Sequence, residues 1–418
     1  MLKALLLFSL LCSTAFAATM PPKLGPEGGR FNRLHVYKIE KMLANKLAEK
    51  SVSASDAEEV KKVQMILANG KKASQWITLV NTARPADHQL DLSANKKSGG
   101  IPITAPQLSN TDIMMKRYED YMAKNPAVIT DVVSGKSEMT TTPPLSDEEF
   151  VTSLRTLDRI YQSTIRWASS MNWLEYMEKI SVNDMRGFIF LRDTPNLNET
   201  LKSYPAMNDV DQTKYRNWML ELCRNGEFEM DKCTTDLRPY IESNNLIGYY
   251  NLYNQYGQKV HDNFFTIQKT RPEIYWNPEK TVLTTPFQTP ERSDVQAWMK
   301  DNVQDEWKGP RFNLVFEFKT TTEDIPRIEF KEGTTAHVND IAGNVITMEA
   351  EYPINTIDMK WTIRHEYGHV LGFQDCYLEF YDSLAKTIVY YEIDVDNLMC
   401  SRNGHLKASH IEQLQSAY

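Results

Sequence analysis

After its first residues, the 418-residue sequence lacks any apolar stretch long enough to cross a lipid bilayer. It also lacks internal repeats, long low-complexity tracts and an excess of positive charge, since its formal net charge is −8 and its pI is about 5.6. This charge argues against a dedicated partner for nucleic acids or anionic membranes. Hydrophobic residues make up 41% and charged residues 24%, and the length allows two or three globular domains.

The amino-terminal segment has the pattern of a secretory signal peptide. Lys3 supplies a positive start, residues 4–11 supply a short apolar run, and residues 15–17 (AFA) fit a small-x-small cleavage site. The run is too short to span a bilayer, which argues against a membrane anchor. The sequence therefore predicts removal of residues 1–17 and secretion to an extracellular or periplasmic location.

Cysteine is scarce, with five residues in the chain. Removal of the signal peptide would leave four, an even number that fits two disulfide bonds in an oxidising compartment. Three pairings are open, and we expect the nearest neighbours to pair, Cys223 with Cys233 and Cys376 with Cys400. Four buried free thiols are the alternative.

The spacing of apolar residues predicts a helical N-terminal region at residues 18–145 and a helical or mixed domain at residues 146–271. Helices are expected between residues 33 and 80, whereas the turn-rich residues 91–110 indicate a loop or linker. Ser146, followed three positions later by Glu149, predicts a capping box at the start of a long helix.

From residue 272 onwards the pattern becomes that of an α+β domain, residues 272–418. Apolar runs predict strands within residues 276–287, 312–320, 326–332 and 344–352. A helix capped by Ser293 is expected after the first strand. A second helix, ending at Gly372, is expected after the last strand, and a short helix closes the chain.

The segment HEYGH, residues 365–369, has two histidines four positions apart. On a helix this spacing puts His365 and His369 on one face, where both imidazoles can bind one zinc ion. Glu366 is then placed to take a proton from a water molecule that the metal activates. A helix with two solvent-facing histidines is the alternative, and the setting in an α+β domain of a secreted chain favours the metal site.

A third ligand is expected shortly after the helix. Gly372 can adopt the left-handed conformation that ends a helix, so that a residue three positions later can return to the metal. That residue is Asp375, whose carboxylate oxygen is an accepted zinc ligand. Downstream acidic residues such as Glu392 and Glu412 are alternatives, and Asp375 could instead be an exposed loop carboxylate.

Residues 365–377, HEYGHVLGFQDCY, resemble the extended HExxHxxGxx(H/D) signature of metzincin metalloproteases. The Asp form is similar to snapalysin and the immune inhibitor A peptidases, which also place a Tyr where Tyr377 stands. Residues 396–400, DNLMC, resemble the Met-containing turn of that family, in which Met399 would form the floor beneath the metal. The resemblance covers residues 272–418 and implies a metzincin-like zincin catalytic domain.

That resemblance implies one catalytic Zn²⁺ bound by His365, His369 and Asp375, with Glu366 as the catalytic residue. It also places Cys376 and Cys400 close to the metal, where their disulfide would hold Asp375. The strand at residues 344–352 is expected to form the edge above the substrate cleft.

The sequence departs from the family in two places. The stretch between Asp375 and Met399 is longer than in snapalysin, and its residues 384–393, LAKTIVYYEI, predict an inserted strand. No Tyr follows Met399 by two positions, where some metzincins place one close to the zinc. The group that stabilises the transition state is therefore open among Tyr377, Arg402 and His405.

The resemblance implies a secreted zinc metalloendopeptidase that acts on a protein or peptide substrate. Two alternatives stay open: a gluzincin-type zinc peptidase with a downstream Glu ligand, or a non-catalytic, zinc-stabilised secreted binding protein that grips a partner with residues 18–270. No cysteine lies between residues 18 and 222, which leaves no matrixin-type cysteine switch. The sequence is equally compatible with a removable propeptide and with a permanent domain, and it does not indicate an oligomeric state.

Overall fold

The computed structural model describes residues 33–49, 53–92, 100–179, 182–321, 324–351, 353–401 and 404–418. The predicted signal peptide and one candidate stabiliser, Arg402, lie outside these residues. Helices and sheets both occur in the described chain, which confirms the α+β class. No helix in these ranges has the length and apolarity that a membrane span requires.

The helices are numbered in chain order. They are α1 (Arg33–Ala48), α2 (Ala54–Gly70), α3 (Lys72–Asn81), α4 (Thr111–Lys124), α5 (Ala127–Val133), α6 (Asp147–Ser170), α7 (Leu174–Met177), α8 (Met185–Arg192), α9 (Leu197–Lys202), α10 (Asp209–Arg224), α11 (Met230–Glu242), α12 (Leu246–Phe265), α13 (Ser293–Met299), α14 (Ile357–Val370) and α15 (Ala408–Ala417). Short 3₁₀ turns span Ala86–His88 and Tyr204–Ala206, and a π-helical turn spans Lys300–Gln304.

The strands are shorter and lie mostly in the C-terminal part. They are β1 (Gln107–Ser109), β2 (Tyr275–Trp276), β3 (Val282–Gln288), β4 (Lys308–Gly309), β5 (Phe312–Lys319), β6 (Arg327–Lys331), β7 (His337–Val338), β8 (Val345–Glu349), β9 (Tyr377–Asp382) and β10 (Thr387–Glu392).

Helices α1 to α6 pack around two adjoining apolar cores, and the long helix α6 contributes to both. The predicted helices between residues 33 and 80 are confirmed as α1 to α3. The predicted capping box at the start of α6 is also confirmed, because Ser146 and Glu149 bond to each other's backbone amide. Local sequence thus sets where α6 begins, and its apolar face sets what it packs against.

Helices α8 to α12 form another core, in which α10 packs against α8, α11 and α12. Cys223 on α10 and Cys233 on α11 form a disulfide, as predicted. The segment that the sequence indicated as mixed is therefore largely helical between residues 185 and 265.

Strands β2 to β8 form two small sheets that lie side by side. In the first sheet, ordered β2-β3-β5-β4, strands β3 and β5 run parallel. In the second, ordered β6-β8-β7, strands β6 and β8 run parallel and β7 is antiparallel. The Gln288 amide at the end of β3 donates to the Pro326 carbonyl (2.8 Å), which brings β6 next to β3. Both sheets share one apolar core with α13 and α14.

Strand β7 forms the edge of the second sheet, so the prediction that residues 344–352 form the edge was wrong. Strand β8 lies between β6 and β7, with Ile346 opposite Val338. A two-residue strand is too short to produce an alternating pattern. The sequence therefore pointed to the longer neighbour.

Two local predictions are also corrected. The N-cap of α13 is Arg292, whose Nε donates to Asp294 (3.0 Å), and Ser293 is the first helical residue rather than the cap. In the segment predicted as a loop, residues 107–109 form strand β1, because a partner strand from the far end of the chain pairs with them.

The inserted strand predicted within residues 384–393 is confirmed as β10. It forms a three-stranded antiparallel sheet between β9 and β1. One face of the β9–β10 hairpin places Phe380 and Tyr391 in the core of α8 to α12. The other face places Tyr381 and Ile388 against α1, α2 and α6. The hairpin thus joins the C-terminal part of the chain to both helical parts.

Candidate metal centre

Helix α14 carries the two histidines of the HEYGH segment. Thr356 caps its first turn, because the Thr356 hydroxyl accepts from the amide of Met359 (3.4 Å). Ile363 and Tyr367 point into the core beneath the sheets. His365 and His369 stand one turn apart on another face, and both side chains are buried.

The turn that follows α14 depends on Gly372. Its φ is +93°, in the left-handed region, and a Cβ there would stand 2.2 Å from the Lys269 carbonyl oxygen. Glycine is therefore the residue that this position accepts without strain. The turn returns the chain to the face of α14 that carries the histidines, and Asp375 arrives there.

Three side-chain atoms converge at this point. The Nε2 atom of His365 lies 3.0 Å from Oδ1 of Asp375, and Nε2 of His369 lies 3.2 Å from the same oxygen. Among the described residues, His365, His369 and Asp375 form a group whose ligand atoms all lie within 4.8 Å of one another. The structure therefore brings together the three residues that the sequence singled out as ligands.

The tautomers of the two imidazoles follow from their other nitrogens. Nδ1 of His365 bonds to the Leu398 carbonyl (3.0 Å), and Nδ1 of His369 bonds to the Phe373 carbonyl (2.9 Å). A carbonyl only accepts, so each Nδ1 carries the hydrogen, and in the neutral ring each Nε2 offers a lone pair. Oδ1 of Asp375 is buried without a hydrogen-bond partner. Three acceptor atoms this close repel one another unless a metal ion, or a proton on an imidazole, lies between them.

The charges of the cluster are strongly perturbed. Burial opposes the charged form of Asp375, yet the two imidazoles, His369 foremost, hold the pKa of that carboxyl well below its usual range. Burial likewise opposes charge on His369, yet Asp375 raises the pKa of His369 to about 9. Burial raises the pKa of Glu366, against the pull of the two histidines. The surroundings thus shift the pKa values of the two carboxyl groups in opposite directions, that of Glu366 upwards and that of Asp375 downwards.

The segment around Met399 lies directly beneath this cluster. A Cβ on Gly368 of α14 would stand 2.2 Å from Sδ of Met399, so the two residues are in close contact. The amide of Cys376 donates to the Met399 carbonyl (3.1 Å). A disulfide between Cys376 and Cys400, as predicted, links the residue after Asp375 to the residue after Met399.

Tyr377, one candidate stabiliser, is placed beside Asp375. Its hydroxyl hydrogen-bonds to the Asp375 carboxylate, and burial raises its pKa well above the usual range. Its ring lies 6.3 Å from the His365 ring and 6.0 Å from the Tyr390 ring, centroid to centroid. The Tyr377 hydroxyl is therefore already committed to the third member of the cluster.

The other candidates have different partners. His405 is exposed, with Nδ1 3.2 Å from Glu306 Oε1 and its ring against Trp361. Glu392, an alternative ligand, accepts from the Ile101 amide (3.2 Å) and from the Tyr390 hydroxyl. Glu412, the other alternative, is exposed on α15.

Two contributors were missed at the level of sequence. His337 stands on the edge strand β7, close enough to Glu366 for a charge on its ring to lower the pKa of that carboxyl. Arg166 of α6 forms a buried ion pair with Glu379, two residues after Tyr377. No sequence signal marks either one, because each lies far along the chain from the residue that it affects.

Comparison with protein-family models, with curated proteins and with solved structures gives no match for the chain. The function is therefore inferred from the geometry of the cluster. Two imidazole nitrogens and one carboxylate oxygen can bind a metal ion from one side, and a buried carboxyl group next to them, Glu366, can exchange a proton.

Proposed function

We propose that this chain is a secreted zinc metalloendopeptidase whose C-terminal α+β part is a metzincin-like zincin catalytic domain. One observation carries the proposal: Nε2 of His365 and Nε2 of His369 lie 3.0 and 3.2 Å from Oδ1 of Asp375, beside buried Glu366. That the substrate is a protein or a peptide follows only from the proposed reaction class.

The donor set fits zinc. Catalytic zinc sites take three protein ligands from His and Asp or Glu, and they leave one position for water or substrate. Structural zinc sites favour four protein ligands, often Cys. Here Cys376 and Cys400 lie next to the cluster but are bonded to each other. This argues against the non-catalytic, zinc-stabilised binding protein.

A bound zinc ion supplies Lewis-acid chemistry, because it polarises a peptide carbonyl and lowers the pKa of water. The residues of the chain do the rest: His365, His369 and Asp375 hold the ion, and the Nδ1 bonds of the histidines fix their ring orientation. Glu366 accepts a proton from the attacking water and then donates it to the leaving amine. Burial raises the pKa of Glu366, which suits a group that must both take and release a proton.

The metzincin type, rather than the gluzincin type, is supported by the residues around the cluster. Asp375 is the carboxylate at the histidines, whereas Glu392 is bonded to the backbone of Ile101. Met399 contacts Gly368 under the motif helix, as the Met-containing turn of a metzincin would.

The ligand assignment is tested by the zinc content of the purified protein. We expect about one zinc per molecule in the wild type and little in Asp375→Ala. Asp112→Ala, which removes an exposed carboxylate of α4 away from the cluster, is the matched control and should keep its zinc. Full occupancy in Asp375→Ala would place the third ligand elsewhere.

The catalytic role of Glu366 is tested separately. Glu366→Gln keeps the shape of the side chain but cannot accept the proton, so we expect wild-type zinc content and a loss of casein hydrolysis of about 10²- to 10⁴-fold. A fully active variant would contradict the mechanism. A wild-type protein that holds zinc but digests neither casein nor gelatin would favour the binding-protein alternative.

Secretion belongs to the same proposal. The two disulfides are compatible with an oxidising compartment, and the first seventeen residues have the signal pattern. We expect the exported protein to begin at Ala18, as read by mass spectrometry. Recovery of the uncleaved chain in the cytoplasm would contradict this part of the proposal.

A further inference from the structure

A continuous row of side chains connects helix α6 to the proposed third ligand. Arg166 of α6 is buried and forms an ion pair with Glu379 of β9. The Arg166 guanidinium also lies over the Tyr390 ring, 5.2 Å from its centroid. Tyr390 lies against Tyr377, whose hydroxyl bonds to Asp375. Arg166 of the N-terminal region therefore reaches the metal cluster through two intervening side chains, Tyr390 and Tyr377.

The backbone between the helices reinforces this row. Strand β1 adds to the free side of β10, with Leu108 opposite Val389. Gln107 of β1 donates from Nε2 to the Ser163 hydroxyl of α6 (2.8 Å). The Ile101 amide donates to the Glu392 carboxylate (3.2 Å), at the end of β10 that lies opposite Tyr377. Residues 101–109 are thus held between α6 and the hairpin.

Loss of the N-terminal helices would leave several groups without partners. Glu379 would lose its buried cation, and a charge that loses its partner in a buried site is strongly unfavourable. Tyr381 and Ile388, which are buried against α1, α2 and α6, would become exposed. An apolar patch of this kind is unusual on the surface of a finished monomer. The β9–β10 hairpin therefore requires the N-terminal helices to keep Tyr381 and Ile388 buried.

We infer that residues 100–171 stay in the working molecule as a permanent part, and that Arg166 is a positioning residue for Asp375. The inference rests on the proposed metal site. Arg166 acts at a distance: its ion pair fixes Glu379 and its guanidinium fixes the Tyr390 ring, which together set the place of Tyr377. Tyr377 in turn holds the carboxylate that would bind the metal.

The positioning role is tested with Co²⁺ alone, whose visible absorption reports ligand geometry without any substrate. We expect Arg166→Met to weaken Co²⁺ affinity by roughly 10- to 100-fold and to change the absorption bands. Arg166→Lys, which keeps the charge, should recover part of the affinity. Wild-type affinity and bands in Arg166→Met would overturn the inference.

A matched control separates this role from general stability. Arg186 is also largely buried and also bonds to the hairpin, but at Asp382, the end of β9 away from the metal cluster (3.2 Å). Arg186→Met should lower the melting temperature and leave Co²⁺ affinity unchanged. If Arg166→Met fails to fold, Glu379→Gln serves instead, because it keeps the shape and removes the charge; it should also weaken Co²⁺ binding, and no effect would overturn the inference.

Whether residues 100–171 remain in the working molecule is tested on the proteolytically active species. Intact-mass analysis of the species that digests casein should find residues 100–171 attached or bound. An active species that begins after residue 171 and holds no such fragment would overturn the inference. A wild-type protein that binds no Co²⁺ would instead contradict the proposed function, so the two failures are distinguishable.

Discussion

The sulfur of Met399 occupies the space that any side chain at position 368 would need. A Cβ on Gly368 would stand 2.2 Å from Met399 Sδ and 3.2 Å from the Trp307 ring. Gly368 lies between the two histidines of α14, and Leu398, next to Met399, holds the His365 ring through its carbonyl. The turn that contains Met399 therefore packs directly against α14, and this close contact is possible because Gly368 has no side chain.

Gly368→Ala should disturb this fit. We expect zinc affinity to fall by roughly 10-fold, because the shifted turn no longer holds the His365 ring. The free energy of unfolding should fall by about 1–3 kcal/mol, as is usual when a methyl group is forced into a packed core. Competition with a chelator measures the first effect and urea unfolding the second.

The control for that experiment shortens the opposing side chain. Met399→Ala combined with Gly368→Ala restores the space, so the double variant should bind zinc more tightly than Gly368→Ala alone. Equal zinc affinity in wild type and Gly368→Ala would show that the contact does not support the site.

The two disulfides should differ in their effect on the metal. Cys376–Cys400 spans 24 positions beside the cluster, whereas Cys223–Cys233 spans 10 positions between α10 and α11. Replacing either pair by serines should lower the free energy of unfolding by about 2–4 kcal/mol. Only the Cys376/Cys400 double variant should also lose zinc affinity, measured by chelator competition. A parallel loss in the Cys223/Cys233 variant would contradict a local role.

Gly372 and Gly135 offer a matched comparison of two left-handed turns. Both have positive φ, +93° and +81°, so alanine should cost about 1 kcal/mol at either position from backbone strain alone. At Gly372 the new Cβ also meets the Lys269 carbonyl, whereas at Gly135 it meets only the flexible end of Lys72.

Gly372→Ala should therefore be the more destabilising change and should displace Asp375. We expect a several-fold loss of zinc affinity in Gly372→Ala and wild-type affinity in Gly135→Ala. Urea unfolding and chelator competition on both variants provide the measurement. Identical behaviour of the two would mean that the turn after α14 does not set the third ligand.

Acid should destabilise the folded chain through His410. Burial lowers the pKa of His410 to about 4, against the weaker opposing pull of the Asp394 charge. The unfolded state therefore takes up a proton at this ring below about pH 6.5, whereas the folded state resists it down to about pH 4. The contribution of the neutral ring to stability is complete above pH 6.5 and is lost as the pH falls towards 4.

His410→Gln should remove that dependence. Between pH 7.5 and 4.5 we expect the wild type to lose about 2–3 kcal/mol more unfolding free energy than the variant. Urea unfolding of both proteins, with a chelator present throughout, measures the difference. Equal losses would indicate that the buried ring is not the group that titrates.

The sequence predicted the local parts of the site. The four-residue spacing of His365 and His369, the helix end at Gly372 and the return of Asp375 all lie within eleven consecutive positions, where periodicity and turn chemistry are informative. The capping box at Ser146 is local in the same sense.

The remaining parts depend on contacts between distant segments. Strand β1 has only three residues and pairs with a strand about 280 positions later, so propensity alone indicated a loop. The ion pair of Arg166 and Glu379 likewise leaves no pattern in the sequence, because the sequence does not indicate which acidic residue pairs with Arg166. The edge strand was predicted wrongly because β7, with two residues, is too short to show an alternating pattern.

The pairing of β1 with β10 has a consequence for the order in which the molecule can be completed. A chain that emerges amino terminus first presents residues 107–109 long before residues 387–392 exist to pair with them. Contacts of such long sequence separation form late in folding. Asp375, which directly precedes the same hairpin, therefore reaches its final place only after nearly the whole chain has been synthesised.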